Sequence, residues 1–166
     1  MSSVRGFTLL ELIIVLIISM LLITIGIPGF QTLMQNNRLS NVANSIQHHL
    51  VFARSQSISL INYITVCPLK DNECTNNWIT GLDVFIDRNQ SKTLDDGEVL
   101  LKSASSFNTN DELVFPAAGI TYTPDGQITG NAAQFRYCAG NGRIGVSIAY
   151  SGRAKIIDGS SFTDCE

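Results

Sequence analysis

Two hydrophobic patterns follow one another in the first third of the chain. Residues 7–27 are an apolar run with one charged residue, Glu11, and Pro28-Gly29 comes directly after it. An uninterrupted apolar run of about 20 residues predicts a helix that can span a bilayer. Beyond the run, apolar residues recur at three- and four-residue spacing among polar ones, at Leu39, Val42, Ile46, Leu50 and Ala53. This spacing predicts that the helix continues with one apolar face, over residues 7–61 in all, with a kink at Pro28.

From residue 62 onward the pattern changes to short runs separated by turn residues. The first run, 63–67, is rich in β-branched residues and predicts a strand. Further strands are predicted at 82–87, 99–102, 113–115, 120–123, 134–138, 143–150 and 154–157. No low-complexity linker separates the helix from these runs. We therefore predict an α+β fold in which the amphipathic half, 29–61, packs on an antiparallel β domain, 62–166.

Composition narrows the function classes without choosing among them. The chain has 166 residues, enough for an anchor and one domain, and its net charge of −3 gives no overall sign of nucleic-acid binding. It lacks a nucleophile elbow, a phosphate-binding glycine loop and an H-E-x-x-H motif. The adjacent His48 and His49 fall in the predicted helix, where we expect a structural or surface role. The sequence thus predicts a protein that is not an enzyme and needs no cofactor.

The start of the apolar run carries a specific motif. Gly6-Phe7-Thr8-Leu9-Leu10-Glu11 resembles the class III signal of type IV pilins and type II secretion pseudopilins. The resemblance implies that a prepilin peptidase removes residues 1–6 and that Phe7 is then N-methylated. Residues 7–28 would remain as an inner-membrane helix with a cytoplasmic N-terminus. Glu11, costly in hydrocarbon without a partner, would pair with the terminal amine of a neighbouring pilin during assembly.

The resemblance extends along most of the chain. Residues 52–58 followed by Val66-Cys67-Pro68 look like the family's helix end and first strand, and Tyr122-Thr123-Pro124-Asp125-Gly126 and Gly152-Arg153 match later blocks. Together these resemble minor pilins and H-type pseudopilins, of the FimT, FimU or GspH type. The resemblance implies the type IV pilin fold and a non-enzymatic filament subunit. Its partners would be other pilins or pseudopilins, with residues 62–166 periplasmic or extracellular.

Four cysteines indicate an oxidising compartment and allow three pairings. Local pairing, Cys67 with Cys74 and Cys138 with Cys165, is the simplest and closes two loops. Zinc is the rival interpretation, but the spacings lack the knuckle pattern and both histidines are far along the chain. We predict the two local disulfides and no metal site.

The segment from Asp87 to Glu98 resembles a calcium-binding loop in its spacing. Oxygen-bearing residues occupy alternate positions and Glu98 closes position 12, as in an EF-hand. Position 6, which is normally glycine, is Lys92, and strand patterns rather than helices flank the segment. A polar hairpin loop is therefore the favoured interpretation, with calcium as the alternative.

The distribution of charge is more informative than the total. From Gly126 to Ile157 there is no acidic residue, whereas the window holds four cations, Arg136, Arg143, Arg153 and Lys155. Clustered cations beside glycine turns favour contact with phosphates. FimT-type pilins bind DNA through a Gly-Arg-x-Arg motif, and this chain has Gly152-Arg153-Ala154-Lys155. We expect a minor pilin, for which contact with double-stranded DNA without sequence preference, in natural transformation, is one interpretation of this window. The other interpretation is a strand-turn-strand with ordinary solvated cations. The functional alternative is pseudopilin H of type II secretion.

Overall fold

A computed structural model describes residues 8–162 and 165, with the side chains of residues 24–29 and 31 excepted. Its first element, α1, is a single helix over Leu9–Leu60 and continues through residues 28 and 29 without an end. The predicted helix, 7–61, is confirmed over this range. The chain divides between residues 36 and 37 into two units.

Membrane insertion is a separate question from helix formation. Among the described residues, no helix combines the length and the apolar character of a membrane span. The predicted span, 7–28, includes residue 7 and the side chains of residues 24–28, which lie outside the described part of the chain.

Within residues 61–162 and 165, ten strands follow the helix, and each predicted strand is among them. Their bounds are β1 Ile64–Cys67, β2 Leu69–Lys70, β3 Glu73–Cys74, β4 Leu82–Ile86, β5 Leu100–Ala104, β6 Glu112–Val114, β7 Ile120–Tyr122, β8 Ala133–Ala139, β9 Gly142–Ile148 and β10 Ala154–Asp158. The small β2–β3 hairpin and two one-turn 3₁₀ helices, Trp78–Thr80 and Gly159–Ser161, were not predicted. Elements of two or three residues are too short to show a hydrophobic period.

The first sheet has the order β5-β4-β1-β7 and is entirely antiparallel. One of its faces is turned toward α1, because Lys102 on β5 places its Nζ atom 5.2 Å from the ring centroid of Phe52. On the opposite face, Thr65 is paired with Phe85 and Thr121. All three of these side chains are buried. The first sheet is therefore covered on both faces.

The second sheet has the order β10-β9-β8-β6 and is also antiparallel. Burial alternates along β8, where Phe135 and Tyr137 are buried and their neighbours are half-buried. A period of two is the pattern of a strand with one face in the core. The second sheet thus packs one face inward and leaves the other accessible.

The core joins the helix to both sheets. Every apolar position predicted for the helix face is buried, at Leu39, Val42, Ile46, Leu50 and Ala53. Trp78 packs edge-on against Phe115 and Phe135, with ring centroids 5.3 and 4.8 Å away, and its indole N–H donates to the Ala117 carbonyl at 3.0 Å. Edge-to-face packing of buried aromatic rings stabilises this cluster beyond simple area burial.

Candidate functional site

The outer face of the second sheet brings together cations of the acid-free window. Arg136 lies opposite Gly145, and Arg143 lies opposite Cys138, in the β8–β9 pairing. Directly opposed residues of an antiparallel pair share a face, as do residues two apart in one strand. Arg136 and Arg143 therefore project from the same face, which is the one turned away from the buried Phe135.

The β9–β10 hairpin adds the other two cations. Lys155 lies opposite Ser147, which is on the same face of β9 as Arg143. The N–H of Ala149 donates to the carbonyl of Arg153 at 3.0 Å and extends this pairing by one residue. Arg153, two residues before Lys155, is therefore on that face too. We call this set the outer cationic face: Arg136, Arg143, Arg153 and Lys155.

Gly152 fixes the turn that delivers Arg153. Its φ of 77° lies in the left-handed region, and its N–H donates to the Ala149 carbonyl at 2.8 Å. A Cβ atom at this position would run into the Gly126 carbonyl oxygen and the Tyr122 ring. Glycine is required here because only a residue without a side chain allows this backbone approach. The glycine of the Gly-Arg pair thus has a geometric role.

The exposed cations of this face are not neutralised within the described part of the chain. Arg143, Arg153 and Lys155 are exposed, and none of them forms an ion pair with another described residue. Asp158 lies beside Arg143 in a shallow depression of about 320 Å³. The Ser160 N–H donates to the Asp158 carboxylate at 2.7 Å and lowers the pKa of this group. Asp158 therefore places a negative charge at this end of the face, and the exposed Glu112 of β6, which lies opposite Cys138, is on the face itself.

Both predicted disulfide pairs are present. Cys67 is bonded to Cys74, with Cα atoms 5.5 Å apart, and Cys138 is bonded to Cys165, with Cα atoms 6.2 Å apart. This is the local pairing of the three that the sequence allows. Because Cys138 shares the face of Arg136 on β8, the second bond secures the C-terminal tail at one end of the outer cationic face.

The loop from Asp87 to Glu98 uses its oxygen atoms internally. Glu98 accepts hydrogen bonds from the N–H groups of Arg88 and Asp95, at 2.8 and 3.1 Å. The Asp95 carboxylate accepts from the Asn89 amide at 2.9 Å and is bonded to the Ser91 hydroxyl as well. Within residues 8–162 and 165, no three His, Cys, Asp or Glu side chains are grouped as a metal ion would need. The contacts fit the favoured interpretation, a polar hairpin loop.

Comparison with known proteins identifies the family. Residues 42–152, more than half of the chain, match the family model described as type II transport protein GspH. The chain belongs to this family. Residues 1–27 match a second model, the prokaryotic N-terminal methylation motif. No curated protein matches the chain.

Solved structures establish the fold of this GspH family member. The type IV minor pilin FimU of Pseudomonas aeruginosa is 22% identical with a TM-score of 0.63, over 81% of this chain and 99% of its own. The minor pseudopilin EpsH of the Vibrio cholerae type 2 secretion system is 12% identical with a TM-score of 0.51, over 73% and 97%. The fold is thus the type IV pilin fold. Family and fold are those of structural minor pilin or pseudopilin subunits, which assemble with other pilins into membrane-anchored filaments.

The methylation motif covers the predicted processing residues. Gly6 and Phe7 lie outside the described residues, and the structure begins at Thr8. The Thr8 N–H donates to the Glu11 carboxylate at 3.3 Å, and the Glu11 N–H donates to the Thr8 hydroxyl at 3.2 Å. This reciprocal pair is a capping box, which satisfies free N–H groups at a helix start. Glu11 therefore has a local role that the sequence analysis missed, although T-x-x-E signals it.

Two buried polar arrangements involve the helix of this GspH family member, and the second of them connects it to the β domain. His49 is buried while His48 is exposed, and the Nδ1 atom of His49 is 2.7 Å from the Ser45 carbonyl. Burial is the main cause that lowers the pKa of His49. The Tyr137 hydroxyl donates to the Asp111 carboxylate, which also lies 3.0 Å from the Arg38 Nε atom. Burial first, and then Asp111, raises the pKa of Tyr137. The contacts of Asp111 thus join α1 to β8, whereas the hydrogen bond of His49 lies within α1.

Proposed function

We propose that the protein is a minor pilin of a type IV pilus, held in the inner membrane by residues 7–28 with its N-terminus in the cytoplasm. A prepilin peptidase cleaves between Gly6 and Phe7 and Phe7 is N-methylated. The match of residues 1–27 to the methylation motif supports this processing. The β domain then faces the periplasm, and later the outside, as part of the filament.

Glu11 is proposed to pair with the terminal amine of a neighbouring subunit. A carboxylate surrounded by apolar helices is costly without a partner, so an amine there favours insertion into the filament. The capping box complicates the usual test, because Glu11→Ala removes the cap together with the charge. Glu11→Gln keeps a side chain that can complete the box and removes only the charge.

Filament incorporation of both variants separates the two roles. We expect Glu11→Gln and Glu11→Ala to be membrane-inserted but equally absent from sheared filaments. If Glu11→Gln enters filaments like the native protein, the charge pairing is wrong and the local cap is the function of Glu11. Gly6→Val should leave a full-length precursor, which mass spectrometry distinguishes from mature protein beginning with N-methyl-Phe7.

The outer cationic face is proposed to contact double-stranded DNA. The single observation that supports this is the common face of Arg136, Arg143, Arg153 and Lys155, which belong to three different strands or their ends. Cations presented on a sheet face can reach phosphates without entering a groove, so the contact carries no sequence information. The mature chain, without Arg5, has ten basic and fourteen acidic residues and a net charge of −4. Binding therefore depends on this local face and is weak for one subunit.

Salt dependence tests the DNA proposal directly. The mature chain in nanodiscs of neutral lipid is titrated with a labelled duplex by fluorescence anisotropy. The face supplies at most four phosphate contacts, so log K should fall against log salt with a slope no steeper than about −3 to −4. Arg153→Ala should flatten the slope by about one. The matched control is Lys70→Ala, an exposed lysine on the β2–β3 hairpin, which should leave it unchanged.

A second candidate is pseudopilin H of a type II secretion system. The description of the matching family over residues 42–152 favours it, and Lys155 replaces the second arginine of the DNA-binding motif. A deletion strain scored in parallel for transformation, twitching and protein secretion separates the candidates. Loss of secretion with normal transformation would exclude the DNA-binding pilus role.

A further inference from the structure

A cleft of about 390 Å³ opens on the β domain, and no residue of the outer cationic face lines it. Its walls are the beginning of β7 and the loop of residues 128–133, and Phe115 forms an aromatic part of the lining. Phe115 is fixed by stacking on Phe135, with ring centroids 4.3 Å apart. Clefts of this size with apolar walls and few polar groups are typical of sites for small ligands or side chains.

Lys92 is the one charged residue among those lining the cleft. Its φ of 60° lies in the left-handed region, which is unusual for a residue other than glycine. Two hydrogen bonds hold it there: its N–H donates to Asp87 at 3.2 Å, and its carbonyl accepts from the Cys74 N–H at 3.0 Å. An unfavourable backbone conformation that its surroundings enforce is a feature of functional sites. The backbone of Lys92 is thus held in place, and its ammonium group extends from that fixed backbone position.

A chain of buried hydroxyl groups ends in the same cleft. The Thr65 hydroxyl donates to Asp87 at 2.6 Å and also lies 2.7 Å from the Thr121 hydroxyl, which belongs to a lining residue. A hydroxyl has one proton, and that of Thr65 is already donated to Asp87. The proton between the two threonines therefore comes from Thr121. This leaves Thr121, only 4% exposed, with lone pairs alone to offer an occupant.

From this geometry we propose that the cleft binds the C-terminal residue of a polypeptide whose last side chain is apolar. The occupant must carry an anion for Lys92, an N–H donor for Thr121 and an apolar group for Phe115. A C-terminal residue has all three on one carbon atom: the carboxylate, the amide N–H and the side chain. The cleft is thereby a docking site for the end of a partner chain, independent of the outer cationic face and its DNA.

The test uses a peptide acid and two analogues that each remove one recognised group. The full mature chain, ¹⁵N-labelled in detergent micelles, is titrated by NMR with acetyl-Ala-Phe. The C-terminal amide removes the charge, and the peptide N-methylated at Phe removes the donor. We expect saturable shifts at the amides of Gly119, Thr121 and Gly130, with each analogue at least about tenfold weaker.

Variants of the protein test the same recognition of the carboxylate by changing Lys92 instead of the peptide. Lys92→Gln should weaken the peptide acid by about tenfold and leave the amide unchanged, and Lys92→Arg should retain binding. Glutamine is suitable because Gln90 adopts φ 59° in the same loop. Lys155→Gln, an exposed lysine on the other sheet, is the matched control. Equal affinity for acid and amide, shifts absent from residues 119–121, or an equal loss in Lys155→Gln would each overturn the proposal.

Discussion

The two sheets of this protein have four strands each and differ in how much of their surface solvent can reach. In the first sheet β1 is buried at every residue, because α1 covers one face and the segments after β1 cover the other. The Leu69 N–H donates to Asp83 at 3.0 Å, and the Lys92 N–H donates to Asp87, so these covering segments are hydrogen-bonded to the sheet. In the second sheet the buried side chains lie on the inner face, and the outer face of β8 and β9 is half-buried or exposed apart from Gly145.

The difference separates the structural from the interactive part of the domain. A sheet covered on both faces tolerates little change on either side, since each residue contacts close-packed neighbours. A sheet with one accessible face can vary there, and the residues on that face are available to partners. In this molecule the accessible face carries the outer cationic face. The sharpest tests of this difference are substitutions at corresponding positions of the two sheets.

Truncating one side chain in each sheet should give the largest difference in the free energy of unfolding. Phe85→Ala removes a fully buried ring from the face of the first sheet that is turned away from α1. It should lower the free energy of unfolding by about 3 to 5 kcal/mol. Gln134→Ala, on the accessible face of the second sheet, should change it by about 0.5 kcal/mol or less. Urea titration followed by emission of the buried Trp78 measures both, and equal losses would contradict the comparison.

Removal of the disulfides is expected to have the next largest effect. In the loop-closure model, replacing Cys138 and Cys165 by alanine lowers the free energy of unfolding by about 3 to 4 kcal/mol, for a sequence separation of 27. Replacing Cys67 and Cys74, separated by 7, costs about 2 to 3 kcal/mol. The same urea titration ranks the two. A larger loss for the shorter loop would mean that packing around the buried Cys67 outweighs chain entropy.

The pH dependence of stability should depend on His49 and not on its neighbour. The pKa of His49 is lower in the folded protein than its ordinary value of 6.5, so the unfolded chain binds a proton more readily. This contribution to stability is therefore fully present above about pH 6.5 and is lost as the pH falls through the folded pKa. His49→Gln should flatten this slope between pH 7.5 and 5. His48→Gln, at an exposed site, should retain it.

The smallest effect is expected on the accessible face itself. Lys155→Arg restores the Gly-Arg-x-Arg pattern, and a guanidinium group can hold one phosphate through two hydrogen bonds. We expect a rise of about two- to fivefold in affinity for duplex DNA, with the slope against salt unchanged because the charge is unchanged. Lys70→Arg controls for a general arginine effect. An equal rise in DNA affinity in both variants would show that position 155 has no special role in DNA contact.

The sequence indicated the elements of the fold because their signals are local. The helix face of Leu39, Val42 and Ile46 and the strands from Tyr63 onward follow from periods that a short segment contains. The β2–β3 hairpin was missed because two residues show no period. The capping box of Thr8 and Glu11 was missed for another reason: the glutamate was interpreted only through its position in the membrane signal.

The predicted processing site, the disulfide alternatives and the acid-free window likewise come from the sequence, since each depends on residue types and their positions along the chain. Only the tertiary structure decided that four cations from three strands share a face, because that depends on strand order and on a register in which a slip by one residue inverts every side chain. The tertiary structure alone also placed Thr121 against Thr65, 56 positions away, and Lys92 in the same cleft as Thr121. Contacts between distant segments follow from how the elements pack, and no local period encodes that.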